Sequence, residues 1–294
     1  MRAALIVNPL ASLVTPELVA AVERELGDVE TMLTERRGHA AELAEDACPS
    51  FERIYVLSGD GGFNEALNGA DGRVPFAFLP GGATNVLPRA LGLPRDPVAC
   101  ARLLAGSERV RRISLGRVNG RRFAFGAGLG LDAELVRAVD RFGRRHGRRP
   151  GDAVFVWSML RIVAARRGRF EPALTVEDHG RAAFALVANC DPYSYVGRLA
   201  IRVAPEARFE LGLDLTAPRH LRLRRLPTVA WWVLVRPHQT RAPDILHLHD
   251  VDRLRIECDR PTALQVDGED LGDVEEAVFE SERAALDVVV AGLD

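Results

Sequence analysis

The first third of the chain alternates between short apolar runs and segments with helical spacing. The apolar runs, "AALIVNP", "RIYVLSG" and "VPFAFLPGG", have the length and continuity of buried parallel strands. The segments between and after them place apolar residues three and four positions apart, at "TPELVAAVERELG", "HAAELAEDA", "GFNEALNG" and "DPVACARLLAGS". This alternation predicts an open, mostly parallel α/β sheet, and we assign residues 1–112 to that domain.

A different pattern follows. Asn119-Gly120 separates two β-rich runs, which predicts a hairpin, and a helical segment comes later at "DAVFVWSMLRIVAARRG". Short apolar runs then recur at regular spacing, at "PALTVED", "FALVANC", "RLAIRVA", "GLDLTAP", "LRIECD" and "TALQVDG". That spacing is typical of an antiparallel sandwich or barrel, so residues 113–282 are predicted to form a β-sandwich domain. The strand-like tail at 283–294 is a candidate to return to the first domain.

Composition and charge narrow the class of protein. Of the 294 residues, 47% are hydrophobic and 27% charged, and the formal net charge of −2 gives no case for nucleic-acid binding. All 39 basic residues are arginine, so neither a GxxxxGK phosphate loop nor lysine Schiff-base chemistry is available. The four cysteines form no CxxC pair, which indicates buried thiols in a reducing cytoplasm. No apolar run approaches about 20 residues, so we expect a cytoplasmic protein whose membrane contact is peripheral.

Two glycine-rich turns follow predicted parallel strands. In the first, Ser58–Gly62, glycine backbone N–H groups join a helix N-terminus, which favours a bound phosphate beside the carboxylate of Asp60. The alternative is a tight turn with an exposed aspartate. The second turn contains Gly81, Gly82, Thr84 and Asn85 and has the same layout. Because ligands of open α/β sheets bind at the carboxyl ends of the strands, both turns and Asn8-Pro9 are predicted to outline one nucleotide-sized crevice.

The motifs "SGDGGFNEALNG", "LPGGATNVLPRALGLP" and "LQVDGED" together resemble the diacylglycerol kinase and sphingosine kinase superfamily. The likeness extends to "IVNP", "TERRGHAAELA" and "FAFGAGLGLDAELV", and "NCDPYSYVGRLAIRVAPEARF" is similar to the bacterial lipid kinase branch. The resemblance implies a Rossmann-like α/β domain of the NAD kinase and phosphofructokinase type, followed by a β-sandwich domain. It also implies transfer of a phosphoryl group from ATP, with Mg²⁺, to a lipid hydroxyl, with diacylglycerol as the first choice.

The resemblance assigns roles to residues of these motifs. The proton acceptor is Glu269 with Asp267 beside it, and Asp60 is the rival; on an extended segment, Asp267 and Glu269 would face the same way. Asp132 matches an acid of a supporting network. The residues assigned to the nucleotide are Asn8, Pro9, Thr34, Ser58, Gly59, Asp60, Gly61, Gly62, Asn64, Glu65, Gly81, Gly82, Thr84 and Asn85.

Three features depart from the family pattern or compete with it. The usual GGDGT reads "SGDGG" here, so Ser58 replaces a glycine and Gly62 replaces the threonine; in the second turn Thr84 lies one place later than usual. The Asp-Gly run that holds a structural Mg²⁺ in bacterial relatives is absent from "FELGLDL", so no such metal site is predicted. His247 and His249 share a strand face and are read as a solvated or hydrogen-bonded pair without a third metal ligand.

A basic stretch is a candidate membrane contact. Residues 141–169 contain nine arginines and one acid, Asp152, and "RFGRRHGRRPG" within them is predicted to be an exposed loop. Arginines near an anionic leaflet would hold a kinase on its lipid substrate. The alternatives are a solvated basic face or a contact with a second subunit in a homodimer. "VAWWVLV" carries two tryptophans, as a lipid interface would, but is predicted to be a buried strand.

Two other functions compete with the lipid kinase. A NAD kinase shares a glycine-aspartate turn of this kind and a β-rich second domain, although "FNEALNG" and "LPGGATNVLPRALGLP" fit lipid kinases better. A catalytically silent nucleotide-binding or membrane-adaptor protein is suggested by the altered residues Ser58, Gly62 and Ala83. The retained acids Asp60, Asp267 and Glu269 oppose it.

Overall fold

The computed structural model describes residues 2–146 and 152–292. The strands are β1 (Ala3–Val7), β2 (Val29–Leu33), β3 (Arg53–Ser58), β4 (Phe76–Pro80), β5 (Val110–Val118), β6 (Arg121–Phe123), β7 (Gly126–Leu129), β8 (Arg169–Phe170), β9 (Leu174–Val176), β10 (Gly180–Ala182), β11 (Ala185–Ala188), β12 (Ser194–Val196), β13 (Leu199–Ile201), β14 (Leu213–Pro218), β15 (Leu221–Arg222), β16 (Ile245–Val251), β17 (Arg253–Val266) and β18 (Glu269–Val289). The helices are α1 (Pro16–Leu26), α2 (His39–Ala47), α3 (Asp60–Gly69), α4 (Val86–Ala90), α5 (Pro97–Ala105), α6 (Leu131–His146), α7 (Asp152–Ala165) and α8 (Leu226–Leu234).

The chain divides into two compact units. The first is Met1–Leu115 with Arg283–Asp294, and the second is Gly116–Glu282. In the first unit, β2, β1, β3 and β4 pair in that order, all parallel, and the end of β18 adds a parallel neighbour to β4. Every residue of β1, β3 and β4 is buried, as their unbroken apolar runs predict. The predicted parallel α/β domain is confirmed.

The helices of the first unit begin and end where their sequence signals predict. The Thr15 hydroxyl accepts a hydrogen bond from the Leu18 N–H at the start of α1, and Gly27 follows the helix with a φ of 81°. Asp96 caps α5 in the same way. Helix α1 packs against α5, and α2 packs against α3. These caps therefore fix the positions at which the chain leaves each strand and returns to the sheet.

The contact between α2 and α3 depends on Gly69. A Cβ at this position would overlap the carbonyl oxygen of Ala41 and lie 2.8 Å from its carbonyl carbon. We expect Gly69→Ala to lower the free energy of unfolding by about 1–3 kcal/mol, because one backbone has to move away from the other. Chemical denaturation measures the loss. Gly106→Ala is the matched control, since a Cβ there meets nothing within 4 Å, and equal stabilities of the two variants would contradict the prediction.

The second unit is built mainly from antiparallel strands. Strands β16, β14, β11, β7, β17 and β18 pair in that order, and β9 pairs with both β10 and β17. The predicted hairpin at Asn119-Gly120 joins β5 to β6, and both residues have positive φ. The core is formed by alternate apolar residues of these strands, among them Leu129, Leu215 and Phe279. The predicted antiparallel β domain is confirmed.

Two predicted elements of the second unit were wrong. "VAWWVLV" belongs to α8, not to a buried strand, and Trp231 is 58% exposed. A uniformly apolar run has no periodicity that separates the two structures, and Pro227 in the first turn favours a helix. Residues 141–146 of the predicted loop belong to α6, while 147–151 lie outside the described residues. Among the described residues, no helix is long and apolar enough to cross a membrane.

Candidate functional site

The first glycine turn joins β3 to α3 in the first unit. Ser58 ends the strand, Gly59 is the N-cap, and Asp60 is the first residue of the helix. The backbone N–H groups of the first turn are hydrogen-bond donors at the positive end of a helix dipole, so this position suits the oxygen atoms of a phosphate. Asp60 is buried, although it is an acid at the end of a helix that attracts anions.

The second glycine turn joins β4 to α4 and is tied to the first. One carboxylate oxygen of Asp60 accepts a hydrogen bond of 2.7 Å from the Val86 N–H. Asn85 closes the second turn on itself, because its side chain accepts from the Gly82 N–H at 2.8 Å and donates to the Gly82 carbonyl at 2.6 Å. Gly81 donates to the Ser58 carbonyl at 2.6 Å. The sequence prediction that both turns lie together at the carboxyl ends of parallel strands is therefore what the hydrogen bonds show.

Ser58 and Gly62 occupy one space within the first turn. A Cβ at Gly62 would overlap the Ser58 hydroxyl oxygen, lie 2.9 Å from the Ser58 Cβ, and approach the Asn8 side-chain amide at 3.7 Å. The Ser58 hydroxyl is buried and has no hydrogen-bond partner among the described residues. A buried hydroxyl without a partner is costly, so the Ser58 hydroxyl is a candidate to bond a water molecule or a bound ligand.

The remaining predicted nucleotide contacts lie after strands, in the second turn or within α3. Asn8 follows β1 and donates its N–H to Leu57, and Thr34 follows β2 and donates its N–H to Val7, so both lie at carboxyl ends of strands. Thr84 is partly exposed within the second turn. Asn64 is fully buried within α3. The structure thus brings the turn residues together with Asn8, and it places Asn64 on the side of α3 that faces the core.

The Asp267 side chain holds a turn of the second unit in place. Its two carboxylate oxygens accept three backbone N–H bonds, from Ala124 at 2.7 Å, Phe125 at 3.0 Å and Gly126 at 3.1 Å, and the residue is 2% exposed. Asp267 and Gly268 both have positive φ and form the turn between β17 and β18. The expectation that Asp267 faces the same way as Glu269 along an extended segment was wrong, since the chain reverses between them.

Glu269 is the more accessible of these two carboxylates. It opens β18 opposite Val266, its side chain is 18% exposed, and it contacts the Arg121 guanidinium at 3.5 Å. A general base has to meet the proton that it accepts, which requires a lone pair within reach of the substrate. Of these two predicted bases, Glu269 is therefore the one with the more accessible carboxylate.

Asp132 lies in a buried polar network that the sequence only partly indicated. One carboxylate oxygen accepts from the Tyr193 hydroxyl at 2.8 Å and from the Gln265 amide at 2.6 Å. Burial raises the pKa of the Asp132 carboxyl above its usual range, against these two hydrogen bonds. Gly128 provides the space for the Asp132 carboxylate, since a Cβ at position 128 would overlap it. Tyr193 and Gln265 lie within motifs of the family resemblance, but no sequence pattern distinguished these two residues. The side-chain oxygen of Gln265 also accepts a hydrogen bond from the Gly268 N–H at 2.8 Å.

The histidine pair lies on β16, beside Asp214 on the neighbouring strand β14. His249 donates to the carboxylate of the fully buried Asp214, and this hydrogen bond is the main cause that raises the pKa of His249. Asp214 also accepts from the Asp250 N–H at 3.0 Å. The His247 ring nitrogen lies 3.0 Å from the Leu215 carbonyl. Among the described residues no group of three His, Cys, Asp or Glu side chains is placed to hold a metal ion.

Comparisons with known proteins agree with this geometry. The family model for the diacylglycerol kinase catalytic domain matches residues 2–118. The diacylglycerol kinase of Bacillus subtilis (strain 168) is 35% identical over 116 residues, which are 38% of this chain and 38% of that protein. Less than half of either chain is thus aligned.

The whole chain resembles solved structures at lower identity. A diacylglycerol kinase from Bacillus anthracis str. Sterne has a TM-score of 0.68 at 19% identity, covering 98% of this chain and 96% of that one. An NAD kinase from Archaeoglobus fulgidus in complex with ATP has a TM-score of 0.50 at 14% identity, covering 99% and 94%. At these identities the likeness shows the fold alone. Together with the catalytic-domain match at residues 2–118, these findings confirm the motif resemblance to the diacylglycerol kinase and lipid kinase superfamily.

Proposed function

We propose that the chain is an ATP- and Mg²⁺-dependent lipid kinase that transfers the γ-phosphate to a hydroxyl group of diacylglycerol or a related lipid. The observation that carries the proposal is the pair of glycine turns joined by the Asp60–Val86 hydrogen bond. One turn presents the N-terminus of α3 and the buried Ser58 hydroxyl, which has no partner among the described residues. These donors suit phosphate oxygens.

The residues of the first unit fit a metal-bound nucleotide better than a resident metal. Mg²⁺ in such sites is held by one or two carboxylates and by phosphate oxygens, and it neutralises the charge of the phosphates. Asp60 is the residue that would hold it, with the remaining oxygen ligands coming from ATP and water.

The residues of the second unit supply the chemistry of the acceptor. A lipid hydroxyl is a weak nucleophile, and a carboxylate that takes its proton as attack proceeds contributes about 10²–10⁴-fold in rate. We assign that proton transfer to Glu269. Asp267 acts through Glu269: by accepting three backbone N–H bonds it fixes the turn on which Glu269 stands.

A labelling experiment tests the proposal directly. The chain is incubated with γ-labelled ATP and Mg²⁺ in mixed micelles that contain diacylglycerol, monoacylglycerol, ceramide, sphingosine or phosphatidylglycerol, with NAD as a water-soluble acceptor. We expect label in diacylglycerol or one of its relatives. Label in NAD would replace the lipid kinase by an NAD kinase. ATP binding without a labelled product would point to a silent nucleotide-binding protein.

A further inference from the structure

Helices α7 and α8 carry exposed apolar stripes. On α7, Ala153, Val156, Trp157, Leu160 and Ala164 are exposed at helical spacing, and Leu160 is 62% exposed. On α8 the exposed positions follow the same spacing, at Pro227, Ala230, Trp231, Leu234 and Val235, and no residue of this helix is buried. Each stripe follows the i, i+3, i+4, i+7 pattern that normally marks the face of a helix turned toward a core.

The opposite faces of both helices already cover a core. Met159, Ile162 and Val163 of α7 and Leu226 and Val229 of α8 pack into one apolar cluster around Phe170 and Phe184. Strand β8 follows α7 and strand β15 precedes α8. Because these two strands pair, the end of α7 lies near the start of α8. Both helices are therefore apolar on their inner and outer faces, and the outer faces point away from the same cluster. A helix that is apolar all round requires cover on both sides.

The apolar outer faces of α7 and α8 are bordered by basic residues. Between residues 153 and 170, and again between 215 and 243, the sequence contains arginines but no aspartate or glutamate. Arg169 and Arg222 are both exposed and stand directly opposite each other in the β8–β15 pair. Like charges at opposite positions of an antiparallel pair repel, so an anion bound between these arginines would stabilise the pair.

A cavity of about 490 Å³ is lined in part by Arg222 of this pair. Its lining residues are His220, Arg222, Arg224, Arg225, Pro243 and Asp244. Arg225 is neutralised by Asp244, with hydrogen bonds of 2.9 and 2.7 Å. No ion pair of Arg222 or Arg224 is found among the described residues, so the cavity has an excess of positive charge.

We propose that the outer faces of α7 and α8 enter the interfacial layer of an anionic bilayer, and that the arginines around the β8–β15 pair bind its phosphate headgroups. This inference deepens the proposed function, since a kinase with a lipid acceptor works at a lipid surface. A second copy of the chain is the competing occupant of an apolar face. It fits worse, because two copies would bring two arginine-rich borders together, and the Asp244 carboxylate beside these arginines is already paired with Arg225. Exposed tryptophans beside arginines match the polarity of a membrane interface.

The chain contains a built-in probe of this surface. All three tryptophans lie on the two helices, at Trp157, Trp231 and Trp232. We expect their fluorescence to shift to shorter wavelength when the full chain meets vesicles containing phosphatidylglycerol, and to be quenched by lipids brominated on their acyl chains. Phosphatidylcholine vesicles should produce a smaller change, and added salt should reduce the response to the anionic ones.

Variants on each part of the surface test the assignment by vesicle sedimentation. Leu160→Glu and Trp231→Glu should each weaken binding at least tenfold, because a carboxylate replaces an apolar group at the interface. Replacing Arg222 and Arg224 by alanine should weaken binding to anionic vesicles by about fivefold for each arginine and leave binding to neutral vesicles unchanged. Val110→Glu, at an exposed apolar residue of the first unit, is the matched control and should bind as the unaltered chain does.

Two results would overturn the inference. One is a chain that binds no vesicle, or whose Leu160→Glu and Trp231→Glu variants bind as well as the unaltered chain. The other is a dimer in solution that these substitutions convert to a monomer, which would assign the surface to a second copy. Phosphoryl transfer is measured separately with a short-chain, water-soluble diacylglycerol. Vesicle binding without transfer would leave this inference standing and remove the proposed function; transfer without vesicle binding would do the reverse.

Discussion

Glu269→Gln is expected to lower the rate of phosphoryl transfer to a lipid by about 10²–10⁴-fold while the fold is retained. Glutamine has the shape of glutamate but cannot accept a proton, so the acceptor hydroxyl would lose its base. The glutamine side-chain oxygen can still accept from Arg121, whose contact with Glu269 is long, at 3.5 Å, so we expect the fold to be retained. Initial rates with saturating lipid measure the first effect, and the thermal midpoint of unfolding measures the second.

Asp267→Asn is the matched comparison, and it should lower the stability of the fold, whereas Glu269→Gln should lower the rate of transfer. The asparagine amide would turn an N–H donor toward backbone N–H groups that now point at a carboxylate oxygen. Leaving buried donors without acceptors costs about 1–3 kcal/mol in the free energy of unfolding. A stable Asp267→Asn variant with no activity, beside an active Glu269→Gln variant, would transfer the base to Asp267 and refute the assignment made here.

The roles of Asp60 and Glu269 are distinguished by the effect of each substitution on the affinity for ATP. The Asp60 carboxylate links the two glycine turns of the first unit. Asp60→Asn should therefore weaken binding of Mg²⁺-ATP, whereas Glu269→Gln should leave ATP affinity unchanged and lower only turnover. If Asp60→Asn retained normal ATP affinity and lost turnover by orders of magnitude, Asp60 would be the proton acceptor.

The parts of the fold that sequence reasoning predicted are those with unambiguous burial. Strands β1, β3 and β4 are buried along their whole length, so they appear as unbroken apolar runs. Strand β2 was not predicted because it lies at the sheet edge and is half-exposed, which removes the apolar signal from "VETML". Helix α6 was missed for a related reason: its second half is rich in arginine and resembles an exposed loop.

Sequence spacing located the candidate site residues but could not orient them. The argument that Asp267 and Glu269 share a face assumed an extended backbone, and positive φ at Asp267 and Gly268 makes that assumption invalid. The partners of Asp132, which are Tyr193 and Gln265, are 61 and 133 positions away in sequence, beyond the range of any local pattern. Hydrogen-bond partners of this kind depend on which strands pair, and local periodicity does not predict strand pairing.

The altered glycine turn is the case in which the structure changes the interpretation most. By sequence, Ser58 and Gly62 are two separate departures from GGDGT, and the missing threonine removes one hydroxyl that could contact a phosphate. In the structure the Ser58 hydroxyl occupies the space that a side chain at position 62 would need. The two departures therefore depend on each other: the turn keeps one hydroxyl, supplied by the strand rather than by the helix.

A double-substitution cycle tests this exchange. Ser58→Gly should weaken ATP binding about tenfold or more, because a hydrogen bond to a charged phosphate contributes about 1.5–3 kcal/mol. Gly62→Thr should weaken it at least as much, since its Cβ overlaps the Ser58 hydroxyl. Combining the two changes should restore the affinity to within about threefold, which requires a coupling free energy well above the additive limit of about 0.5 kcal/mol.

Ser58→Ala with Gly62→Thr is the control that separates the lost hydroxyl from the occupied space. Alanine keeps the Ser58 Cβ, which lies only 2.9 Å from the position of a Cβ at residue 62, so threonine still does not fit and binding should not recover. Titration calorimetry with Mg²⁺-ATP measures all variants on one scale. Additive losses in the glycine–threonine combination would mean that the Ser58 hydroxyl does not contact the nucleotide, and its burial without a partner would then need another explanation.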